Sequence, residues 1–128
     1  MSGLIYDASA LLAAARADVR MWTLHRGALE RNEAPLVLAP VLARAWGATE
    51  GHRAPLHALL RGCALTDFPV AAAYDVGRLL ARARTTDIVA AAVVLAALTT
   101  RSALVTAEPE PLQELAGALG VRLALTVI

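Results

Sequence analysis

The chain of 128 residues has no lysine, a single cysteine (Cys63) and few aromatic residues, which make up 4% of the total. A single cysteine excludes an intramolecular disulfide framework. With 12 arginines, 11 acidic residues and a net charge of +1, the chain also lacks the basic excess of a protein that binds nucleic acid mainly by charge. The missing lysine by itself indicates no function.

Long apolar runs and glycine-rich loops are missing as well. The longest uninterrupted apolar run covers residues 88–98, or 11 residues, whereas a bilayer-spanning helix needs about 20. The first residues carry no basic segment, and Asp7 interrupts their apolar stretch, so they do not resemble a signal peptide. We therefore expect a cytoplasmic protein without membrane contact. The absence of a glycine-rich phosphate loop argues against a P-loop or dinucleotide enzyme.

Alanine and other apolar residues dominate what is present. The sequence is 58% hydrophobic and 18% charged, and it contains 30 alanines. This balance is the reverse of that in disordered chains, and the alanines favour helices. The length predicts one domain over residues 1–128, large enough to bury a core.

Short apolar runs alternate with longer alanine- and leucine-rich segments. The runs predict strands covered on both faces, because they carry almost no polar residues. The predicted strands span residues 4–6, 36–38, 63–66, 103–106 and 122–127. The predicted helices span residues 8–15, 18–31, 40–46, 55–61, 87–98 and 109–119, with one more starting at residue 69 and a break expected from residue 47. We expect an α/β sandwich around a central, mainly parallel sheet of about five short strands.

Three acidic residues are candidates for chemistry. Asp7 directly follows the first predicted strand, Glu108 follows the fourth by two residues, and Asp87 begins a long helix. Sites in open α/β sheets lie beyond the carboxyl ends of the strands, where Asp7 and Glu108 fall. Clustered carboxylates need a cation, and their hard oxygen atoms favour Mg²⁺ or Mn²⁺. Such an ion can polarise a phosphate and activate a water molecule.

A simpler interpretation covers the same residues. An aspartate after a strand often only caps the next helix, and Asp87 fits a cap or a first-turn position. Glu108, which precedes Pro109, also suits a helix N-terminus. Spacing alone does not decide between capping and metal binding.

Four segments together resemble the PIN domain, and within it the VapC-like toxins of bacterial toxin–antitoxin pairs. The resemblance covers essentially the whole chain, in order. The family patterns are an apolar strand followed by Asp-Ala-Ser, the third-helix region, GRLL…TDVVDA and LVTSDP. The matching segments are LIYDASALL at residues 4–12, LAPVLARAW at residues 38–46, GRLL and TDIVAA at residues 77–80 and 86–91, and LVTAEP at residues 104–109.

The resemblance implies a PIN-like fold and a divalent-metal-dependent endoribonuclease. Such proteins usually form homodimers and are neutralised by a cognate VapB-like antitoxin. The family's acids hold magnesium, position the scissile phosphate of the RNA and help to generate the attacking hydroxide. On this basis Asp7, Glu108 and Asp87 are the candidate catalytic and metal-binding residues.

The chain departs from the family pattern at several acids. The second family acid has no counterpart, and Arg44 stands near its place. The third acid falls on Ala90, although Asp87, three residues earlier, is retained. The fourth falls on Glu108, one methylene longer than aspartate, and the adjacent serine is Ala107.

The missing carboxylate at position 90 predicts weak or absent activity. It removes a ligand and lowers the negative charge of the site, so metal affinity should fall. Natural divergence and a deliberate inactivating substitution both explain Ala90. The alternative function is a non-catalytic PIN-like module that binds RNA, an antitoxin or another protein partner.

Arginines are the candidates for contact with RNA. Arg78, Arg82 and Arg84 lie close together on one predicted helix and could touch phosphates, or could simply form a solvated face. Arg44 could substitute a cation for the lost acid, or be an ordinary surface arginine.

Other residues give weaker signals. Trp22 and Trp46 lie on the early helices, which help to form the antitoxin groove in the resembled family, but core packing explains them equally well. The three histidines have no metal-ligand spacing with Cys63, which disfavours a zinc site. Ser9 leaves open a hydrolase triad, because triads are assembled in space and not along the sequence.

Overall fold

Short strands and helices alternate along the chain, as the sequence predicts. The structure is a computed structural model and describes residues 3–128. Its elements are β1 (Leu4–Tyr6), α1 (Ala8–Ala15), α2 (Val19–Glu30), β2 (Leu36–Leu38), α3 (Ala39–Ala48), α4 (Ala54–Leu60), β3 (Ala64–Thr66), α5 (Val70–Ala83), α6 (Ile88–Thr100), β4 (Ala103–Thr106), α7 (Pro109–Leu119) and β5 (Leu125–Val127).

The five strands form one sheet in the order β3-β2-β1-β4-β5, and every pairing is parallel. This confirms the predicted α/β sandwich. The central strand is β1, whose Ile5 lies opposite Leu36 of β2 and Leu104 of β4. From β1 the chain builds the sheet outward to β3, and it then returns to the other side of β1 with β4. Such a reversal between neighbouring strands opens a crevice at their carboxyl ends.

The core lies on both faces of this sheet. Ile5, Tyr6, Val37, Leu104 and Val105 are all fully buried, as expected for strands with helices on each side. Helices α1 and α6 both contact β1 and β4. Their many alanines are small enough to let the helix backbones lie close to the central strands. The same packing fixes the first turns of α1 and α6 beside the crevice.

Side chains that precede the helices set where three of them begin. Asp7, Asp18 and Asp87 each accept a hydrogen bond from a backbone N–H in the first turn of α1, α2 and α6. Helix α7 ends at Gly120, whose φ of 69° lies in the left-handed region that glycine adopts without strain. These positions agree with the sequence prediction.

Several element boundaries differ from the prediction. Gly47 lies inside α3, which continues to Ala48 and is capped by Thr49, a buried residue that donates a hydrogen bond from Oγ1 to the carbonyl of Ala45 (2.8 Å). The last strand starts at Leu125 and not at Arg122, since the chain first leaves the left-handed cap at the end of α7. Within residues 3–128, no helix is long and apolar enough to cross a membrane.

Candidate functional site

A small cavity of about 140 Å³ opens at the carboxyl ends of β1 and β4. Asp7 enters its lining directly after β1, and Glu108 enters after β4. Asp87 reaches it from the start of α6, and Arg44 from α3. The structure therefore brings the three predicted acids to one cavity, together with an arginine.

Asp7 is the most constrained of these acids. Its Oδ1 accepts hydrogen bonds from Ser9 Oγ (2.7 Å) and from the backbone N–H of Ala10 (2.8 Å), and its Oδ2 accepts one from Thr106 Oγ1 (2.6 Å). The residue is 7% exposed. The capping interpretation is thus correct for Asp7, and it also fixes the orientation of the carboxylate at the cavity.

Burial raises the pKa of Asp7 above its ordinary value. The hydrogen bonds from Thr106, Ser9 and Ala10 oppose this shift because they stabilise the charged form, and the negative charge of Glu108 adds to it. The cavity therefore holds a carboxylate whose ionisation is costly without a positive charge nearby. A perturbed pKa in a cleft is typical of functional sites.

Two hydroxyl groups connect β1 and β4 beneath the cavity. Thr106 Oγ1 accepts the backbone N–H of Glu108 (2.9 Å) while it donates to Asp7, and Ser9 Oγ accepts the backbone N–H of Ala107 (2.8 Å). They hold the segment that carries Glu108 against Asp7. The sequence alone does not single out Thr106 as a site residue, because threonine is common in strands. Its place at the end of β4 is the signal that could identify it.

Asp87 and Arg44 form an ion pair at the rim of the cavity. Arg44 Nη1 lies 3.0 Å from Asp87 Oδ1, the same oxygen that accepts the backbone N–H of Ala90 (3.0 Å). The Arg44 side chain is 48% exposed and the Asp87 side chain is 38% exposed. Asp87 therefore has the cap role that the simpler interpretation gave it, and it also lines the cavity.

Ala90 and Glu108 complete the arrangement of the acidic positions. Ala90 lies in the first turn of α6, is nearly buried and lines the cavity. A carboxylate at that position would add a fourth acid to the cavity, beside Asp7, Asp87 and Glu108. Glu108 occupies the N-cap position of α7 but makes no side-chain capping bond, and it is exposed. Its carboxylate is thus available to a ligand in the cavity.

The donor atoms of this cavity suit a hard divalent cation, but they are few. Across the part of the chain that the structure describes, no three histidine, cysteine, aspartate or glutamate side chains form a metal-holding group. Mg²⁺ is commonly held through one or two carboxylates with water completing its shell. Asp7 and Glu108 fit such a weakly held, largely hydrated ion, while the ion pair with Arg44 engages Asp87.

The arginines of α5 do not reach this cavity. Arg78 pairs with Asp75 on the exposed face of the helix (2.7 Å), and Arg82 is exposed. Arg84 ends the helix in the left-handed conformation and borders a different surface depression, beside Thr86. Of the four predicted RNA-binding arginines, the structure places only Arg44 in the acidic cavity.

A larger, open and mostly apolar groove of about 720 Å³ lies between α3 and α4, away from the acids. Trp46 borders it, is 37% exposed and stacks against the Arg53 guanidinium 4.4 Å from the ring centroid. Trp22 is instead packed against the core and donates to the carbonyl of Ala14 (3.0 Å). Core packing is thus confirmed for Trp22, whereas Trp46 lies at a groove on the surface.

Other candidate chemistry is not supported by the geometry. Ser9 bonds Asp7 and the Ala107 backbone, and in residues 3–128 no histidine hydrogen-bonds to it, so no serine triad is formed there. His25 is buried and bonds the hydroxyl of Tyr6 (2.9 Å). Burial raises the pKa of the Cys63 thiol to about 12, which makes it a poor nucleophile.

Comparison with known proteins supports the fold. No family model matches the chain, and no curated protein matches it. Among solved structures, the chain is similar to PAE2754 from Pyrobaculum aerophilum, with a TM-score of 0.66 and 19% sequence identity. The match covers 97% of this chain and 83% of that one. At this level of identity the similarity concerns the architecture alone.

Proposed function

We propose that the protein is a PIN-type, VapC-like endoribonuclease that depends on Mg²⁺ or Mn²⁺ and has weak activity because its site lacks two acids of the family pattern, among them the one at position 90. The observation that carries the proposal is the convergence of Asp7, Asp87 and Glu108 on one cavity at the carboxyl ends of β1 and β4. These acids come from three separate parts of the chain. A purely structural role for each of them would not require a shared cavity.

Each cavity residue has a role in this proposal. Asp7 and Glu108 would hold the cation, with Asp87 as a further, partly occupied ligand. A bound Mg²⁺ or Mn²⁺ would polarise the scissile phosphate and lower the pKa of a water molecule. Ser9 and Thr106 keep the Asp7 carboxylate oriented toward the cavity through two hydroxyl hydrogen bonds. Arg44 lines the cavity, and in this proposal its guanidinium would contact a phosphate of the RNA.

Weak activity follows from the same geometry. Ala90 offers no oxygen, and the Oδ1 atom of Asp87 is shared between a helix cap and Arg44. The site therefore has fewer free negative charges than a cluster of four acids. We expect the affinity for the divalent cation, rather than the position of the phosphate, to limit the reaction.

Partners and location belong to the same proposal. We propose a cytoplasmic location and a VapB-like antitoxin as the cognate partner, both on the resemblance alone. The apolar groove between α3 and α4, bordered by Trp46 and Leu60, fits a protein segment better than a polar ligand. A homodimer is proposed on the resemblance alone.

A cleavage assay with matched variants tests the proposal. Unstructured and hairpin RNAs are incubated with the protein in Mn²⁺, in Mg²⁺ and in excess chelator. We expect slow, metal-dependent cleavage that Asp7→Asn abolishes and that Asp75→Asn, an exposed acid outside the cavity, leaves unchanged. Cleavage that persists in chelator or in Asp7→Asn would contradict the proposal.

A non-catalytic module is the second candidate function, because Ala90 and the Arg44–Asp87 ion pair both reduce the capacity for metal binding. Such a module would bind RNA or a protein partner through the same fold. Thermal unfolding with and without Mn²⁺ distinguishes the two, since a ligand raises the unfolding temperature only of a state that it binds. An unchanged unfolding temperature together with metal-free RNA binding would favour the module.

A further inference from the structure

The ion pair between Arg44 and Asp87 differs from the other two ion pairs in the described part of the chain. The pairs Arg31–Glu33 and Arg78–Asp75 join residues two and three positions apart in sequence. The Arg44–Asp87 pair joins α3 to the start of α6 across 43 positions and lies on the lining of the acidic cavity. It therefore brings a positive charge to the cavity that Asp7, Asp87 and Glu108 line.

This positive charge acts on the carboxylate that a divalent cation would use. Arg44 Nη1 and a cation both need Asp87 oxygens, and Oδ1 already serves Arg44 and the Ala90 backbone. A cation beside Asp87 also experiences repulsion from the guanidinium. Both effects are moderate, since the side chains are about half exposed and water screens their charges.

We propose that Arg44 is an intramolecular counter-ion that competes with a divalent cation for Asp87 and so sets how tightly the cavity holds that cation. The inference rests on the proposed function, because it concerns the same cation. Arg44 is a positioning residue here, since it acts through Asp87. Without metal it neutralises part of the negative charge of the cavity; with metal bound, its guanidinium is released toward solvent.

Titration of Mn²⁺ by calorimetry, without RNA, tests the competition directly. We expect Arg44→Gln to bind Mn²⁺ roughly fivefold more tightly or better than the wild type, because an unfavourable charge and a competitor are both removed. Arg44→Lys, which keeps the charge, should stay near the wild-type affinity. Arg26→Gln, an exposed arginine outside the cavity lining, makes the same change in net charge and should have no effect.

The ionic strength of the titration gives a second readout that a packing role would not affect. The difference between Arg44→Gln and the wild type should shrink as salt rises, because salt screens exposed charges. If Arg44→Gln binds Mn²⁺ with the same affinity as the wild type, the inference is overturned and the proposed nuclease stays intact. This holds whether or not the variant binds RNA more weakly in the absence of metal. No Mn²⁺ binding by any of the four proteins would overturn both.

Discussion

At the scale of single residues, Asp7 combines a structural and a chemical role. Its carboxylate caps α1 and joins β1 to β4 through Thr106, yet burial raises its pKa and so makes its charged form costly. Because the folded state holds the proton more tightly than the unfolded chain, the stabilising contribution of Asp7 is present at low pH. It is lost as the pH rises through the raised pKa.

Asp7→Asn should therefore raise the unfolding temperature at pH 7.5 by a few degrees. The amide oxygen can still accept from Ser9 and Ala10, and the amide nitrogen can donate to Thr106 Oγ1, without a buried charge. Asp7→Ala removes all three bonds and should lower stability by about 1–2 kcal/mol. Thermal unfolding followed by circular dichroism measures both. Equal destabilisation by the two variants would show that the charge itself stabilises the fold.

At the scale of elements, the first turn of α6 is where stability and function overlap. Asp87 caps this helix through the Ala90 N–H and at the same time pairs with Arg44. From the sequence, Asp87 is open to two interpretations, a helix cap and a site residue. It could not reveal the partner in α3, because an ion pair across 43 positions depends on tertiary packing.

Two substitutions of Asp87 separate these roles. Asp87→Asn keeps an oxygen for the Ala90 N–H but loses the charge, and we expect an unfolding temperature close to that of the wild type, since exposed ion pairs contribute little. Asp87→Ala also loses the cap and should cost about 1 kcal/mol. Thermal unfolding compares them, with Asp75→Ala as the control for loss of an exposed acid. A cost for Asp87→Asn as large as that for Asp87→Ala would mean that the ion pair, rather than the cap, secures α6.

At the scale of the whole molecule, much of the fold could be predicted from local pattern. Apolar triplets such as residues 4–6 and 36–38 mark strands buried on both faces, and capping residues such as Asp18 mark helix starts. The order of the strands, which places β1 beside β4, required the assembled sheet. The contribution of Thr106 to the site also required the structure, because its partner Asp7 is 99 positions away in the sequence.

The pH dependence of global stability should reflect His25 once Asp7 is neutralised. Burial lowers the pKa of His25 below its ordinary value of 6.5, so the unfolded chain binds the proton more readily. The stabilising contribution of neutral His25 is therefore fully present above about pH 6.5, and it is lost as the pH falls through the lowered pKa. In Asp7→Asn we expect a lower unfolding temperature at pH 5.5 than at 7.5. Adding His25→Gln should flatten this difference; an unchanged slope would assign it to other groups.

The central claim is that this cavity is a nuclease site weakened by the loss of the carboxylate at position 90, and Ala90→Asp tests it most directly. The new acid would lie in the first turn of α6, where negative charge favours the helix, on the lining that position 90 shares with Asp7 and Asp87. The measurement is the rate of Mn²⁺-dependent RNA cleavage by the wild type, Ala90→Asp and Ala90→Asp with Asp7→Asn. We predict a clear gain in Ala90→Asp that the added Asp7→Asn abolishes. A folded Ala90→Asp variant that binds Mn²⁺ but cleaves RNA no faster than the wild type would contradict the claim.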